Sequence, residues 1–131
     1  MLSIATGTRI FVAAGATDMR KGFNGLQGII TSVLEHDPLS GHLFLFVNRR
    51  RDKLKILYWD GDGLAIWYRR LEQGTFQMPT IAEDEKSAEI RSEELTMLLR
   101  GIDLNSAKRR KRFCASELIV RFRSDPFQAI E

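Results

Sequence analysis

Hydrophobic and polar residues follow a period of two in the middle of the chain, between residues 41 and 74. Three runs there, 42–48, 53–60 and 64–71, are rich in aromatic and branched side chains and are separated by turn residues. The first run is almost wholly apolar, the second alternates, and the third alternates less cleanly. Such runs are typical of strands. Because the connections are short, the pattern predicts an antiparallel meander of three strands.

A helical pattern precedes this meander. Its apolar residues follow one another at spacings of three, four and three, and they are Phe23, Leu26, Ile30 and Val33. These spacings place the four side chains on one stripe of a helix. We expect the helix to run from about Met19 to Glu35, with Thr17 or Asp18 as its N-cap and Asp37-Pro38 just beyond its end.

Three glycines, Gly22, Gly25 and Gly28, fall within this predicted helix. Each is expected to destabilise it by about 1 kcal/mol relative to alanine. One interpretation is that the glycines let the helix lie close to the sheet. The other is that they leave a bare backbone face for a partner chain.

Weaker signals flank these segments. Residues 9–14 are expected to form a short first strand, and residues 75–80 a fourth strand. The charged stretch 81–88 is interpreted as a surface loop. A second helix near Glu93–Arg100 is indicated by Ser92 as N-cap, by acidic residues in the first turn and by a glycine just after its end.

Together these signals predict an α+β fold. We expect a mostly antiparallel sheet of four to five strands, with the one long helix packed on it and a shorter C-terminal helix near Glu93–Arg100. A chain of 131 residues suggests one domain. Residues 1–105 are assigned to this single domain, and residues 106–131 to a basic tail that is expected to be extended or partly disordered.

Composition narrows the class of protein only slightly. The chain has 20 Lys and Arg against 17 Asp and Glu, which gives a formal charge of +3. Its single cysteine excludes an internal disulfide and a cysteine zinc cluster. No apolar run approaches the roughly 20 residues that span a bilayer, and no secretory signal is visible at the start. We therefore expect a cytoplasmic protein that does not contact a membrane.

The distribution of charge is more informative than its sum, because basic residues cluster at a predicted strand connection, at a strand end and in the tail. Cations on a rigid hairpin can contact phosphates through charge and forked hydrogen bonds. The alternative is that they are solvated surface residues. The candidate nucleic-acid-binding residues are Arg49, Arg50, Arg51, Lys53, Lys55, Arg69, Arg70, Lys108, Arg109, Arg110, Lys111 and Arg112.

Four aromatic residues lie near the hairpin cations: Tyr58, Trp59, Trp67 and Tyr68. Exposed aromatic rings could stack on nucleic-acid bases. The alternation of the strands already accounts for these residues as core side chains, and this second interpretation is favoured.

The residues do not indicate catalysis. Asp60-Gly61-Asp62-Gly63 resembles the start of a calcium loop, but leucine occupies the later ligand positions 64 and 71, so the stretch is predicted to be a hairpin turn. Asp18, Asp60, Asp62 and Glu72 could be nominated as metal ligands, although their spacing does not single them out; a nuclease would be built on Asp18, Asp60 and Glu72. The two histidines, His36 and His42, are interpreted as solvated residues at loop ends. No catalytic residue, metal site or cofactor is predicted.

Several blocks of the chain, taken in order, match a known pattern. The main blocks are Thr17-Asp18-Met19-Arg20-Lys21-Gly22-Phe23, Ser40-Gly41-His42-Leu43-Phe44, Trp59-Asp60-Gly61, Arg70-Leu71-Glu72 and Gly101-Ile102-Asp103. In these blocks the chain resembles a family of small bacterial transposition proteins, the TnpB or Orf2-like products of insertion-sequence family sixty-six. The resemblance runs from about residue 4 to residue 105.

The resemblance implies a role in moving a DNA element. In that family a separate, larger transposase carries the acidic catalytic residues, and no binding residues of the small protein are established. The leading hypothesis is a non-enzymatic accessory protein that binds the ends of the element, the larger transposase, or both. A second hypothesis is a protein-interaction module without DNA contact, which could form a homo-oligomer. A third is a small metal-dependent nuclease.

Overall fold

Five strands and two helices account for about half of residues 4–101, which are the residues that the computed structural model describes. The predicted tail 106–131, with Lys108–Arg112, lies outside them. The elements in chain order are β1 (Ile10–Ala13), α1 (Phe23–Ser32), β2 (Leu43–Val47), β3 (Lys53–Trp59), β4 (Leu64–Arg70), β5 (Ser87–Ile90) and α2 (Ser92–Arg100). The α+β class and the meander of β2, β3 and β4 are confirmed.

All five strands form a single sheet in the order β4-β3-β2-β1-β5. β1 and β2 are parallel, with Ile10 opposite Leu43, while the other three neighbouring pairs are antiparallel. The prediction of a mostly antiparallel sheet is therefore corrected to a mixed sheet. The parallel pair arises because α1 carries the chain back across the sheet between β1 and β2, and this connection brings the carboxyl ends of both strands to the same edge.

Alternation along the strands produces two apolar clusters, one on each face of the sheet. On one face, Leu26 and Ile30 of α1 pack against a cluster that includes Phe44 and Phe46 of β2. On the other face, the cluster includes Leu95, Leu98 and Leu99 of α2, Ile10 and Val12 of β1, and Leu54 and Ile56 of β3. All of these side chains are buried. The helices thus cover opposite faces of the sheet.

The first helix is shorter than predicted, because it begins at Phe23 rather than Met19 and ends at Ser32. Its N-cap is Gly22, and no side chain caps it. The Asp18 carboxylate instead accepts a hydrogen bond from the backbone N–H of Arg20 and so closes a local turn. The two helices are nearly equal in length, with ten residues in α1 and nine in α2. The prediction of one long and one shorter helix is therefore wrong.

The strand at the far edge also differs from the prediction. Residues 75–80 are not a strand, whereas Ser87–Ile90, of which the first two residues were interpreted as surface loop, pairs with β1. α2 has Arg91 rather than Ser92 as its N-cap, and the Glu94 side chain accepts from the backbone N–H of Arg91. Its end is as predicted, because Gly101 adopts a left-handed conformation at φ 86°.

Candidate nucleic-acid interface

The connection between β2 and β3, which carries three consecutive arginines, is held by the side chain of Asn48. The Asn48 Oδ1 accepts from the backbone N–H groups of Asp52 and Lys53, each at 3.0 Å, and its Nδ2 donates to the Asp52 carboxylate at 2.7 Å. The hydrogen bond from Asn48 is also the main reason that the pKa of Asp52 lies below its usual range. One amide side chain thus fixes both sides of the turn.

Residues 71–76, which follow β4, hydrogen-bond to the backbone of the same turn. The backbone carbonyl of Arg51 accepts from the N–H of Phe76 at 2.7 Å, and that of Asp52 accepts from the N–H of Leu71 at 2.7 Å. Phe76 is fully buried, so its hydrogen bond is anchored in the core. Arg51 has φ 61°, a left-handed conformation that non-glycine residues adopt only when their surroundings impose it. The arginines therefore project from a rigid backbone.

Arg49, Arg50 and Arg51 are all exposed. Within residues 4–101, none of the three forms an ion pair or a side-chain hydrogen bond. Arg50 lies close enough to Asp52 to contribute to the lowering of its pKa. The turn consequently presents an excess of positive charge at one end of the sheet.

The parallel pairing of β1 and β2 brings a second basic loop to this end. The backbone N–H of Thr17, in the loop between β1 and α1, donates to the carbonyl of Val47 at 2.8 Å. This loop carries Arg20 and Lys21, which sequence reasoning did not assign to the site. Arg20 donates to the Asp18 carboxylate at 2.7 Å, and this contact lowers the pKa of Asp18 to about 2.

The carboxyl end of β4 brings two more cations to this end of the sheet. The strand register places Arg70 opposite Lys53 on the α1 face and Arg69 opposite Leu54 on the other face. Arg70 forms an ion pair with Glu72 at 2.9 Å, and the Arg69 guanidinium lies 4.8 Å from the centre of the Trp67 ring.

Lys55 is the predicted site residue whose environment differs most from the expectation. It is only 9% exposed, and its Nζ donates to the backbone carbonyls of Met19 and Lys21, each at 2.8 Å. Its ammonium is therefore bound to the β1–α1 loop and is not presented to a phosphate. Lys55 instead joins β3 to the loop that carries Arg20 and Lys21.

These loops and strand ends lie at one end of the sheet, which we call the cationic rim. It comprises Arg20, Lys21, Arg49, Arg50, Arg51, Lys53, Arg69 and Arg70. The rim lies at the carboxyl ends of the parallel strands β1 and β2, the position at which α/β sheets commonly bind ligands. The opposite end of the sheet carries the turn between β3 and β4, in which the Asp60 carboxylate accepts from the backbone N–H groups of Asp62 and Gly63. This confirms the predicted hairpin turn.

The three carboxylates nominated for a nuclease do not converge. Asp18 and Glu72 lie at the rim, where each is paired with an arginine. Asp60 lies at the far end of β3, whose seven residues span about 20 Å. Over the range 4–101, no group of three or more His, Cys, Asp or Glu side chains could hold a metal ion. In the same range no helix has the length and apolar character needed to cross a membrane.

The two histidines are more constrained than the sequence suggested. The ring of His36 lies 4.1 Å from that of Phe11, and the Nδ1 of His42 accepts from the backbone N–H of Arg9 at 2.9 Å.

Two of the four aromatic residues near the hairpin, Tyr58 and Trp67, pack against the core on the α2 side of the sheet, which is the interpretation favoured from the sequence. Tyr68 differs, because it is 50% exposed.

Fold and surface together define a small α+β protein that presents cations on rigid connections. The model of the family described as IS66 Orf2 like protein matches residues 8–109, and the chain belongs to that family. It is also similar to two uncharacterized proteins of Sinorhizobium fredii. The protein y4jC is 36% identical over 110 residues, which cover 84% of this chain and 92% of y4jC. The protein y4hO is 40% identical over 103 residues, which cover 79% of this chain and 88% of y4hO. No solved structure matches the chain.

Proposed function

We propose that this protein is a non-catalytic accessory factor for transposition of a bacterial insertion sequence, and that it binds DNA of the insertion element through the cationic rim. Membership of the IS66 Orf2-like family supports the accessory role in transposition. The observation that carries the DNA-binding part is the rigid β2–β3 turn with its exposed arginines. The larger transposase would supply the chemistry, and both proteins would act in the cytoplasm on the ends of the element.

The proposed mechanism is electrostatic and architectural. Cations that neutralise phosphates release condensed counterions, and the logarithm of the binding constant then falls by about 0.9 for each contact per tenfold rise in salt. Five rim cations form no ion pair within residues 4–101: Lys21, Arg49, Arg50, Arg51 and Lys53. If all five contact phosphates, a plot of the logarithm of the binding constant against the logarithm of the salt concentration has a slope of about −4.5. Their fixed backbone reduces the entropy lost when they bind.

The proposal is tested by DNA binding of the full chain to duplex element ends over a series of salt concentrations. The double variant Arg49→Ala/Arg50→Ala should bind more weakly and should flatten the salt slope by about 2, because two phosphate contacts are lost. Arg51 is left in place, so that the residue with the left-handed backbone in this turn is unchanged.

A second double variant, Arg9→Ala/Arg91→Ala, is the matched control. It removes the same charge at the end of the sheet opposite the rim, where Arg9 is paired with Glu89 and Arg91 caps α2. Its salt slope should equal that of the unchanged protein. Equal slopes for both double variants would refute binding through the rim.

The alternative function, a protein-interaction module without DNA contact, is favoured by the outer face of α1. Gly28 is exposed, and a Cβ at this position would meet nothing within 4 Å. Close packing on the sheet therefore does not account for this glycine. Phe23 and Val33 lie at the two ends of the stripe that contains the buried Leu26 and Ile30, and they are 49% and 44% exposed. An open glycine position and exposed apolar helix ends suit self-association or binding of the larger transposase. Capture of that transposase from nuclease-treated lysate, without DNA binding in the salt series, would favour this function.

A further inference from the structure

Tyr68 is an exposed aromatic residue with several basic residues beside it. It lies on β4, one of the two edge strands of the sheet, and it is 50% exposed. Leu64 and Ile66, which precede it on the same face of the strand, pack against the core cluster beneath α1. This cluster covers the first half of β4 and leaves the ring of Tyr68 in the open.

The strand register surrounds this ring with cations. Tyr68 lies opposite Lys55, and Arg70, two residues further along the same face, lies opposite Lys53. The Nζ of Lys55 is 4.9 Å from the centre of the Tyr68 ring, a distance typical of a cation–π contact. Because this ammonium is bound to the carbonyls of Met19 and Lys21, it holds the ring at a fixed place beside the loop.

We propose that Tyr68 is a stacking platform for an unpaired base of single-stranded DNA, and that Lys53 and Arg70 hold the phosphates beside that base. This inference rests on the proposed function and adds unpaired bases at the element ends to the duplex phosphates that the rim cations contact. A stacking contact needs a base whose face is open, and in a duplex the neighbouring base pairs cover both faces of each base. An aromatic ring within a basic surface is the arrangement by which proteins bind single strands without reading their sequence.

Alternative explanations of Tyr68 account for less of its environment. A core role is inconsistent with a ring that is half exposed. A purely solvated role does not explain why the ring lies beside an ammonium that is itself fixed by two hydrogen bonds. Recognition of duplex phosphates alone would require only the cations.

The first test compares binding of a labelled single strand and of the matching duplex by Tyr68→Ala and Tyr68→Phe variants of the full chain, using fluorescence anisotropy. Tyr68→Ala should weaken single-strand binding by about 5- to 100-fold and change duplex binding by less than about twofold. Tyr68→Phe keeps the ring and should bind the single strand nearly as well as the unchanged protein. Circular dichroism of both variants establishes that they are folded.

The second test does not depend on a variant. A single strand that contains 5-iododeoxyuridine is irradiated with the unchanged protein, and the crosslinked peptide is identified by mass spectrometry. A crosslink at Tyr68 supports the platform, whereas crosslinks confined to other residues overturn it. Equal losses of single-strand and duplex binding in Tyr68→Ala, or no loss in either, would also overturn it. If the unchanged protein binds neither form of DNA, the proposed function itself fails.

Discussion

Lys55 offers the most direct test of how the rim is assembled, because its ammonium joins β3 to the β1–α1 loop. The substitution Lys55→Met removes the charge and both hydrogen bonds but keeps an unbranched side chain of similar length. The two carbonyl acceptors, on Met19 and Lys21, are each 2.8 Å from the nitrogen. Lys53→Met is the matched control, because Lys53 lies two residues away on the same face, is less buried, and makes neither of these bonds.

The expected change follows from the two bonds. Hydrogen bonds to charged groups contribute about 1.5–3 kcal/mol each, so the pair sets an upper range of about 3–6 kcal/mol. Two effects reduce this figure. The variant no longer desolvates an ammonium, and the freed carbonyls lie in a surface loop where water can reach them. We expect Lys55→Met to lower the free energy of unfolding by about 1.5–3 kcal/mol and Lys53→Met by less than about 0.5 kcal/mol.

Urea unfolding followed by circular dichroism measures both variants. With a slope of about 1–3 kcal/mol per molar urea, the Lys55→Met midpoint should fall by about 1 M, while the Lys53→Met midpoint should barely move. Equal midpoints for the two variants would show that the bonds of Lys55 contribute nothing net. The assignment of Lys55 as the residue that fixes the loop would then be refuted.

Two further predictions concern α1 and the loop before it. Gly28→Ala should raise the free energy of unfolding by up to about 1 kcal/mol, because alanine favours the helix and the added Cβ meets open space. Gly25→Ala should raise the free energy of unfolding by less than Gly28→Ala does, or should lower it, because the added Cβ would lie 3.0 Å from the Cβ of Lys21. Thermal unfolding measures both variants. A larger gain in stability at Gly25 than at Gly28 would contradict this prediction. The pKa of Asp18 is about 2 in the folded protein, below its ordinary 3.8, so its pairing stabilises the fold above about pH 4 and this contribution is lost as the pH falls toward 2. Urea midpoints of Asp18→Asn should accordingly lie below those of the unchanged protein at pH 6 and meet them near pH 2; a gap independent of pH would contradict the assignment.

The meander could be predicted because its information is local. The alternation of β3 and the Asp60-Gly61 turn each define a strand or a connection without reference to the rest of the chain. β5 could not be predicted in this way. Its sequence, Ser87–Ile90, contains two polar residues among four and follows an acidic stretch. It becomes a strand because it pairs with the free edge of β1.

The errors in α1 have a similar origin. The signal that stops the helix, Asp37-Pro38, lies five residues beyond its actual end at Ser32. The start is displaced because tertiary contacts bind the residues before it: Thr17 donates to Val47, and the carbonyl of Met19 accepts from Lys55. Contacts of this kind leave no periodic trace in the sequence.

The rim was predictable only in part for the same reason. The three arginines of the β2–β3 turn were visible as a run, whereas Arg20 and Lys21 join them only through the parallel pairing of β1 with β2. Lys55 has the same residue type and the same strand face as Lys53, and only its bonds to the loop separate the two.

The position of β1 has a consequence for protein synthesis. This strand leaves the ribosome before the other four strands, yet both of its edges are closed by strands made later, and the last of these ends at Ile90. A chain cut short before residue 87 would keep an uncovered backbone edge and would lack the leucines of α2 that shield one face. Such fragments tend to aggregate and to be degraded. A frameshift anywhere upstream of α2 should therefore remove the protein from the cell rather than leave a partly working version.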